Sequence, residues 1–264
     1  RAVLLAPVDL LFNGGIGTYV KASTESALDV GDKANDAVRV DGRDLRVRVV
    51  GEGGNLGLTQ RGRVEYALTG GRVNTDAIDN SAGVDTSDHE VNIKIALDRV
   101  VEAGELDAEG RAALLGEMTD EVAAAVLTDN HAQNATLAVE VTSARSLLDA
   151  HTRFLRALER SGRLVRSVEF LPDDRQLAER RRDGQALTSP ELSVLLAYAK
   201  LETGDAVLAS DLPDDPALEE LLVNYFPAEL RRRVPAAVSG HPLRREIVAT
   251  ALTNRAVNVA GVTG

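Results

Sequence analysis

Leu45-Arg46-Val47-Arg48-Val49-Val50-Gly51-Glu52-Gly53-Gly54-Asn55-Leu56-Gly57 is the stretch whose reading decides how this chain folds. Its first six residues alternate apolar and basic and then turn fully apolar, the pattern of a β-strand entering a core. Glycines follow at once, and a glycine-rich turn directly after a strand lets another group approach the backbone closely. The run invites a G-x-G-x-x-G dinucleotide fingerprint, but the third glycine would have to stand at position 56, which is leucine. The residues after it, Leu58-Thr59-Gln60-Arg61-Gly62, also make a weak helix start for cradling phosphate. From spacing alone, a binding loop and an ordinary tight turn are equally open readings.

Upstream, Val8-Asp9-Leu10-Leu11-Phe12 is a second strand, ending at Asn13-Gly14-Gly15. Between the two, Ser23 to Ala37 reads as helix with Ser23 or Thr24 as its cap. Strand, helix, strand in this order predicts a parallel α/β unit. Ligands of open α/β sheets bind in the crevice beyond the carboxyl ends of the strands, and both glycine clusters fall at that edge. Most of the chain's 22 glycines lie in this first third. Downstream, the run from Asn74 to Glu90 is so rich in small, polar and charged residues that it reads as a functional or solvated loop. Its Asp88-His89-Glu90 suggests acid/base chemistry or a metal, but an acidic helix N-terminus accounts for it better.

From about residue 93 the period becomes helical. Leu115, Met118, Val122 and Val126 form one stripe after a cap at Asp107. Leu137, Val141, Ala144, Leu148, Leu155 and Leu158 form a longer one, stopped by Gly162. Thr188-Ser189-Pro190-Glu191 combines a capping box with proline in the first turn, and a helix follows to about 202. Asp215-Pro216 and His241-Pro242 open two more. The expected division is 1–92, α/β, and 93–264, all-helical.

A net charge of -11 argues against nucleic acid or an anionic membrane as partner. The absence of cysteine excludes disulfides, thiol nucleophiles and thiolate metal sites, and fits a reducing cytoplasm. His89, His131, His151 and His241 form no spaced ligand motif, so no metal is expected. No apolar run approaches the roughly 20 residues of a membrane span. The chain opens at Arg1 and runs directly into Val3-Leu4-Leu5, which reads as a cut inside a longer polypeptide.

Two strings carry a family resemblance. GEGGNLGLTQRGRVEYA, from Gly51, and NTDAIDNSAGVDTSDHEVNIK, from Asn74, resemble the large bacterial NAD-dependent glutamate dehydrogenases. The superfamily's E-G-A-N element corresponds to Glu52-Gly53-Gly54-Asn55, and its N-x-G-G-V-x-x-S to the run from Asn80 through Gly83 and Val84 to Ser87. Leu187 to Lys200 and His241 to Thr250 are similar to stretches typical of the large form only. The resemblance therefore covers essentially the whole chain.

It implies the C-terminal half of a partial doubly wound, Rossmann-like parallel sheet over 1–92, with a helical C-terminal domain over 93–264. It implies part of a cytoplasmic, homo-oligomeric oxidoreductase of amino-acid catabolism. That enzyme oxidises L-glutamate to 2-oxoglutarate and ammonia and passes hydride to NAD. Position by position, Gly14 and Gly15 stand for a small pair that lets NAD lie against the strand end. Asn55 and Asn80 resemble asparagines beside the nicotinamide end, Val84 a substrate-pocket wall, and Ser87 the hydroxyl that binds the side-chain carboxylate. The family's catalytic lysine and its G-x-G-x-x-G are not among these residues. The segment is therefore expected to hold no catalytic residue and to need the remaining N-terminal part of the enzyme. Two departures stand out: Gly54 replaces the usual alanine, which should loosen the turn, and Asn13-Gly14-Gly15 replaces Pro-Ala-Ala. A regulatory or oligomerisation module, and another nucleotide-binding α/β enzyme, remain the rival readings.

Overall fold

The computed structural model describes residues 1–263. The strands are β1 (Leu10–Asn13), β2 (Val20–Lys21), β3 (Val40–Asp41) and β4 (Val49–Glu52). The helices are α1 (Ala27–Val30), α2 (Gln60–Leu68), α3 (Asp76–Asp79), α4 (Ser81–Glu102), α5 (Ala108–Glu117) and α6 (Thr119–Arg160). They continue with α7 (Asp174–Arg182), α8 (Ser189–Ala209), α9 (Glu219–Tyr225), α10 (Ala228–Arg233), α11 (Pro235–Ser239) and α12 (Arg244–Ala260). A parallel α/β part followed by a predominantly helical remainder is the coarse class read from the sequence. Two compact units interleave along the chain. The first holds Arg1–Ser81, Gln133–Tyr198 and the residues from Gly261; the second holds Ala82–Ala132 and Ala199–Ala260.

In the first unit β1 pairs in parallel with β4, Leu10 opposite Val49 and Asn13 opposite Glu52. Strands β2 and β3 form a second parallel pair, Val20 opposite Val40. Both expected strands therefore exist, but the second is displaced toward its carboxyl end. Leu45–Val47 leads into β4 ahead of the strand, with Leu45 and Val47 buried, and pairing begins at Arg48, whose N donates to Val8 O at 3.2 Å. Val20, Val40, Val50, Leu58, Tyr66 and Val73 form the core, and the Tyr66 hydroxyl donates to Val47 O at 2.8 Å.

The helix expected over 23–37 is a correction. Only four residues are α-helical, capped by Ser26 through a capping box with Asp29 and closed by Gly31 at φ 76°. The glycine adopts the left-handed conformation that ends a helix. Ser23 does not cap; its backbone and hydroxyl both donate to Glu65. Elsewhere the caps are as read: Asp107 accepts from Gly110 N, and Glu191 accepts from the Thr188 backbone at 2.7 Å. Helix α6 ends just before Gly162, at φ 75°. Of its long stripe, Leu137, Ala144, Leu148, Leu155 and Leu158 are buried and Val141 is exposed.

In the second unit Ile93, Ala96, Leu97, Leu114, Met118, Leu222, Phe226, Leu230, Ile247 and Val248 pack as one core. The stripe from Leu115 to Val126 spans two helices, because α5 ends at Glu117, Met118 caps it, and α6 begins at Thr119. Among the described residues no helix is long and apolar enough to cross a membrane.

Candidate functional site

The carboxyl ends of β1 and β4 are stitched together. Gly53 N and Gly54 N both donate to Asn13 O, at 2.9 and 3.1 Å. Glu52, the last residue of β4, is completely buried, and Arg63 on α2 is 4% exposed. Two donors of the guanidinium reach the carboxylate, Nε at 2.6 Å and Nη2 at 2.9 Å, and Leu58 N adds a third at 3.1 Å. The same guanidinium lies 3.2 Å from Asp76 Oδ2, which also accepts from Leu56 N at 2.7 Å. Asp79 accepts from Glu52 N at 3.0 Å and from the Asn74 amide at 3.0 Å. Burial pushes the Glu52 and Asp79 carboxyls up, while hydrogen bonds from Arg63 and from Asn74, respectively, oppose it. One arginine and three acids thus clamp the glycine loop to the sheet and to α3.

The loop is tight where looseness was expected. A Cβ built on Gly54 would stand 2.5 Å from the backbone oxygen of Gly15, and one on Gly53 would strike the Phe12 ring. The two departures from the family pattern are therefore coupled: Gly54 has no side chain because the Gly15 carbonyl lies against it. Gly54→Ala is expected to cost about 1–3 kcal/mol, the range for overpacking against a neighbour that must move. Thermal melting would check this, and an unchanged midpoint would mean the Gly15 turn yields freely. Leu56 holds φ 59°, strained for a branched residue, and the buried Asn13 Nδ2 has no hydrogen-bond partner. A Cβ at Gly15 would meet nothing within 4 Å, so the space beside this turn is open.

Asn55 and Asn80 meet: the Asn80 amide donates to Asn55 Oδ1 at 3.0 Å across 25 positions of sequence. The polar run that carries Asn80 is not the loop expected. Thr75 turns the chain into α3, Asn80 caps it, and α4 starts immediately at Ser81. Gly14, Gly15, Asn55 and Asn80 thus lie in the first unit. One hydrogen bond joins the two asparagines, and the Gly15 turn abuts Gly54.

Val84 and Ser87 lie in the second unit, three residues apart on one face of α4, both exposed. Ser87 is in the second turn, not at the helix start, and its hydroxyl donates to Gly83 O at 3.1 Å. Any affinity for an anion then belongs to the hydroxyl rather than to the helix terminus. Asp88-His89-Glu90 resolves into three separate roles. Asp88 accepts from the Tyr225 hydroxyl at 2.8 Å, His89 is buried and stacked on the Tyr225 ring, and Glu90 pairs with Lys94.

Sequence reading missed a group in this unit. Ligand-capable atoms of Asp85, His89 and Asp129 all lie within 4.8 Å of one another. Burial pushes the Asp85 and Asp129 carboxyls up, and Asp129 raises Asp85 further. Burial lowers Lys200, against the opposing pull of Asp129 and Asp85. Asp85 and His89 stand one helical turn apart, but Asp129 lies too far along the sequence for spacing to bring it in. Arg63 was missed too, although a glutamate closing an apolar strand calls for a buried cation.

A parallel α/β unit with glycine-lined strand ends, continued by long helices, defines an α/β segment whose loops stand at the edge of the sheet where such folds bind ligands. The chain belongs to the bacterial NAD-glutamate dehydrogenase family. Residues 1–140 match the family described as bacterial NAD-glutamate dehydrogenase, catalytic domain, and residues 184–264 match glutamate dehydrogenase, C-terminal. The chain is 53% identical over 263 residues to the NAD-specific glutamate dehydrogenase of Mycobacterium tuberculosis, covering 100% of this chain and 16% of that protein. It is 52% identical over 262 residues to that of Halomonas elongata, covering 99% of this chain and 16% of the relative. The Pseudomonas aeruginosa enzyme is 53% identical over 263 residues, with the same 16% of its length covered.

Proposed function

We propose that this chain is a segment of an NAD-dependent glutamate dehydrogenase, a cytoplasmic homo-oligomer that converts L-glutamate to 2-oxoglutarate and ammonia. Residues 1–92 belong to its Rossmann-like cofactor domain and 93–264 to a helical C-terminal domain. The observation that carries the reading is the Asn80–Asn55 hydrogen bond of 3.0 Å beside the β4 end, joining the two family motifs. The exposed apolar residues of β1, Leu10 at 57% and Phe12 at 64%, support a sheet that continues in the remaining enzyme, because parallel sheets are covered on both faces.

The residues fit NAD: the space beside Gly15 is open, and the Asn13 amide at this edge has a donor without a partner. Bound NAD would supply the hydride acceptor. Gly14 and Gly15 leave room at the strand end, and Asn55 and Asn80, holding each other, orient what binds there. Val84 walls the substrate pocket, and Ser87 donates to the side-chain carboxylate of glutamate. The catalytic lysine lies in the remainder of the enzyme. Accordingly, the full-length protein is expected to reduce NAD with L-glutamate, and residues 1–264 alone are expected not to. A full-length protein inert toward glutamate and NAD would refute the assignment. Turnover by the isolated segment would refute the division of labour.

A further inference from the structure

Helix α4 has two chemically different sides. Val84, 73% exposed, Ser87 and Val91, 53% exposed, share one. Asp85, His89, Asn92 and Ala96 follow helical spacing on the other, where the last three are buried. An aspartate and a histidine four positions apart set a carboxylate and an imidazole side by side. Asp129, on α6, brings a second carboxylate to the same place. One oxygen of each aspartate and one nitrogen of His89 lie within 4.8 Å of one another, all in the second unit. His89 is 6% exposed, and its ring is held by stacking on Tyr225, centroids 4.5 Å apart. Its Nε2 stands 3.9 Å from Asp85 Oδ1, too far for a hydrogen bond. Neither ring nitrogen has a hydrogen-bond partner among the described residues, an expensive condition for a buried polar ring. The neighbouring polar groups are satisfied. Asp88 accepts from the Tyr225 hydroxyl, which accepts from Asn92 Nδ2, both at 2.8 Å, and Glu90 pairs with Lys94. Lys200 acts on both carboxylates, yet two carboxylates and one lysine still carry net negative charge.

We propose that Asp85, His89 and Asp129 hold a divalent cation of zinc type, which ties α4 to α6 inside the second unit. One imidazole nitrogen with two carboxylate oxygens is a donor set for zinc and its first-row neighbours, whereas magnesium and calcium take oxygen alone. Around zinc, with bonds of about 2.0–2.2 Å, tetrahedral ligand atoms stand about 3.4 Å apart. The 3.9 Å between His89 and Asp85 is near that spacing, and small rotations of the two aspartates close the remainder. Asp129 is exposed, which leaves a way in from solvent, and water takes the fourth position. Histidine spacing predicts no metal here, because only one ligand is a histidine and one aspartate comes from another helix. Zinc binding at this place is independent of whether Val84 and Ser87 meet substrate.

The full-length enzyme, stripped with a chelator and dialysed against micromolar Zn²⁺, is expected to hold one more zinc per chain than its Asp129→Ala and His89→Phe variants. Losing a direct ligand should weaken binding more than about tenfold, since even the groups behind a ligand contribute about 10- to 100-fold. Asp129→Ala removes an exposed side chain from a helix that alanine favours, so a loss of zinc there does not come from misfolding. His89→Phe keeps a ring against Tyr225 and removes the donor; should it fail to fold, Asp129→Ala alone decides. Glu90→Gln, an acid on the same helix that pairs with Lys94, is the control and should bind as wild type does. Added Zn²⁺ should also slow hydrogen exchange along α4 in wild type and leave it unchanged in Asp129→Ala. Equal zinc content in wild type and Asp129→Ala overturns the proposal. So does exchange along α4 that Zn²⁺ does not alter in wild type.

Discussion

Replacing Arg63 with leucine is expected to destabilise the β4–α2 region by about 3–5 kcal/mol, the cost of stripping one partner from a buried ion pair. Glu52 is completely buried, and Arg63 supplies two of its three hydrogen bonds. Leucine fills much of the space but leaves the carboxylate and Asp76 without their cation. The loss has a pH dependence of definite sign. Burial already pushes Glu52 up, and removing Arg63 removes the largest opposition. A carboxyl whose folded pKa exceeds its unfolded value favours folding when protonated. Its contribution is therefore full below the ordinary glutamate pKa and is lost as pH rises through the folded one. The variant should accordingly be less impaired at pH about 5 than at pH about 8. Hydrogen exchange over 49–68 in the full-length enzyme reads this locally, where global melting of a long multidomain protein does not. Protection equal to wild type at both pH values would mean that Glu52 is neutral or hydrated in solution. Arg63→Lys should fall between, because an ammonium cannot present the fork that meets both oxygens.

How far the sequence could be read depended on the range of the physics. Asn55 and Asn80 were legible as members of two spaced motifs, and their side chains bond at 3.0 Å. Strand, glycine turn and cap are local devices, so β1, β4, Asp107 and Thr188 could be found from their neighbours alone. Ser23 to Ala37 misled because helix propensity there is overruled by Glu65, which takes Ser23, and by Gly31, whose left-handed turn ends the helix. The polar run after Asn74 looked like a loop because its acids are spent internally: Asp76 and Asp79 satisfy Leu56 N and Glu52 N. Gly54 was read as a loosened turn, and only the distance to the Gly15 carbonyl reveals a close approach. Asp129 meets Asp85 and His89 through the packing of α6 against α4, a relation that no periodicity records.

Ser87→Ala should raise the KM for glutamate about ten- to hundredfold in the full-length enzyme. A hydrogen bond to a charged group contributes about 1.5–3 kcal/mol, and each 1.36 kcal/mol is about tenfold. The substitution is clean because the side chain is exposed and its one protein partner is Gly83 O, a backbone carbonyl one turn back. Alanine removes that bond at little cost to the helix, for which it is the better former. A stability change beyond a few tenths of a kcal/mol is therefore not expected, and a lost affinity cannot be charged to unfolding. Ser87→Thr, which keeps the hydroxyl and adds a methyl toward open space, should stay close to wild type. The KM for NAD should hold in both variants, since Asn55, Asn80 and the glycine turns are untouched. An unchanged glutamate KM in Ser87→Ala would remove Ser87 from the substrate site. Equal rises for glutamate and NAD would instead make it a residue that holds α4 in place.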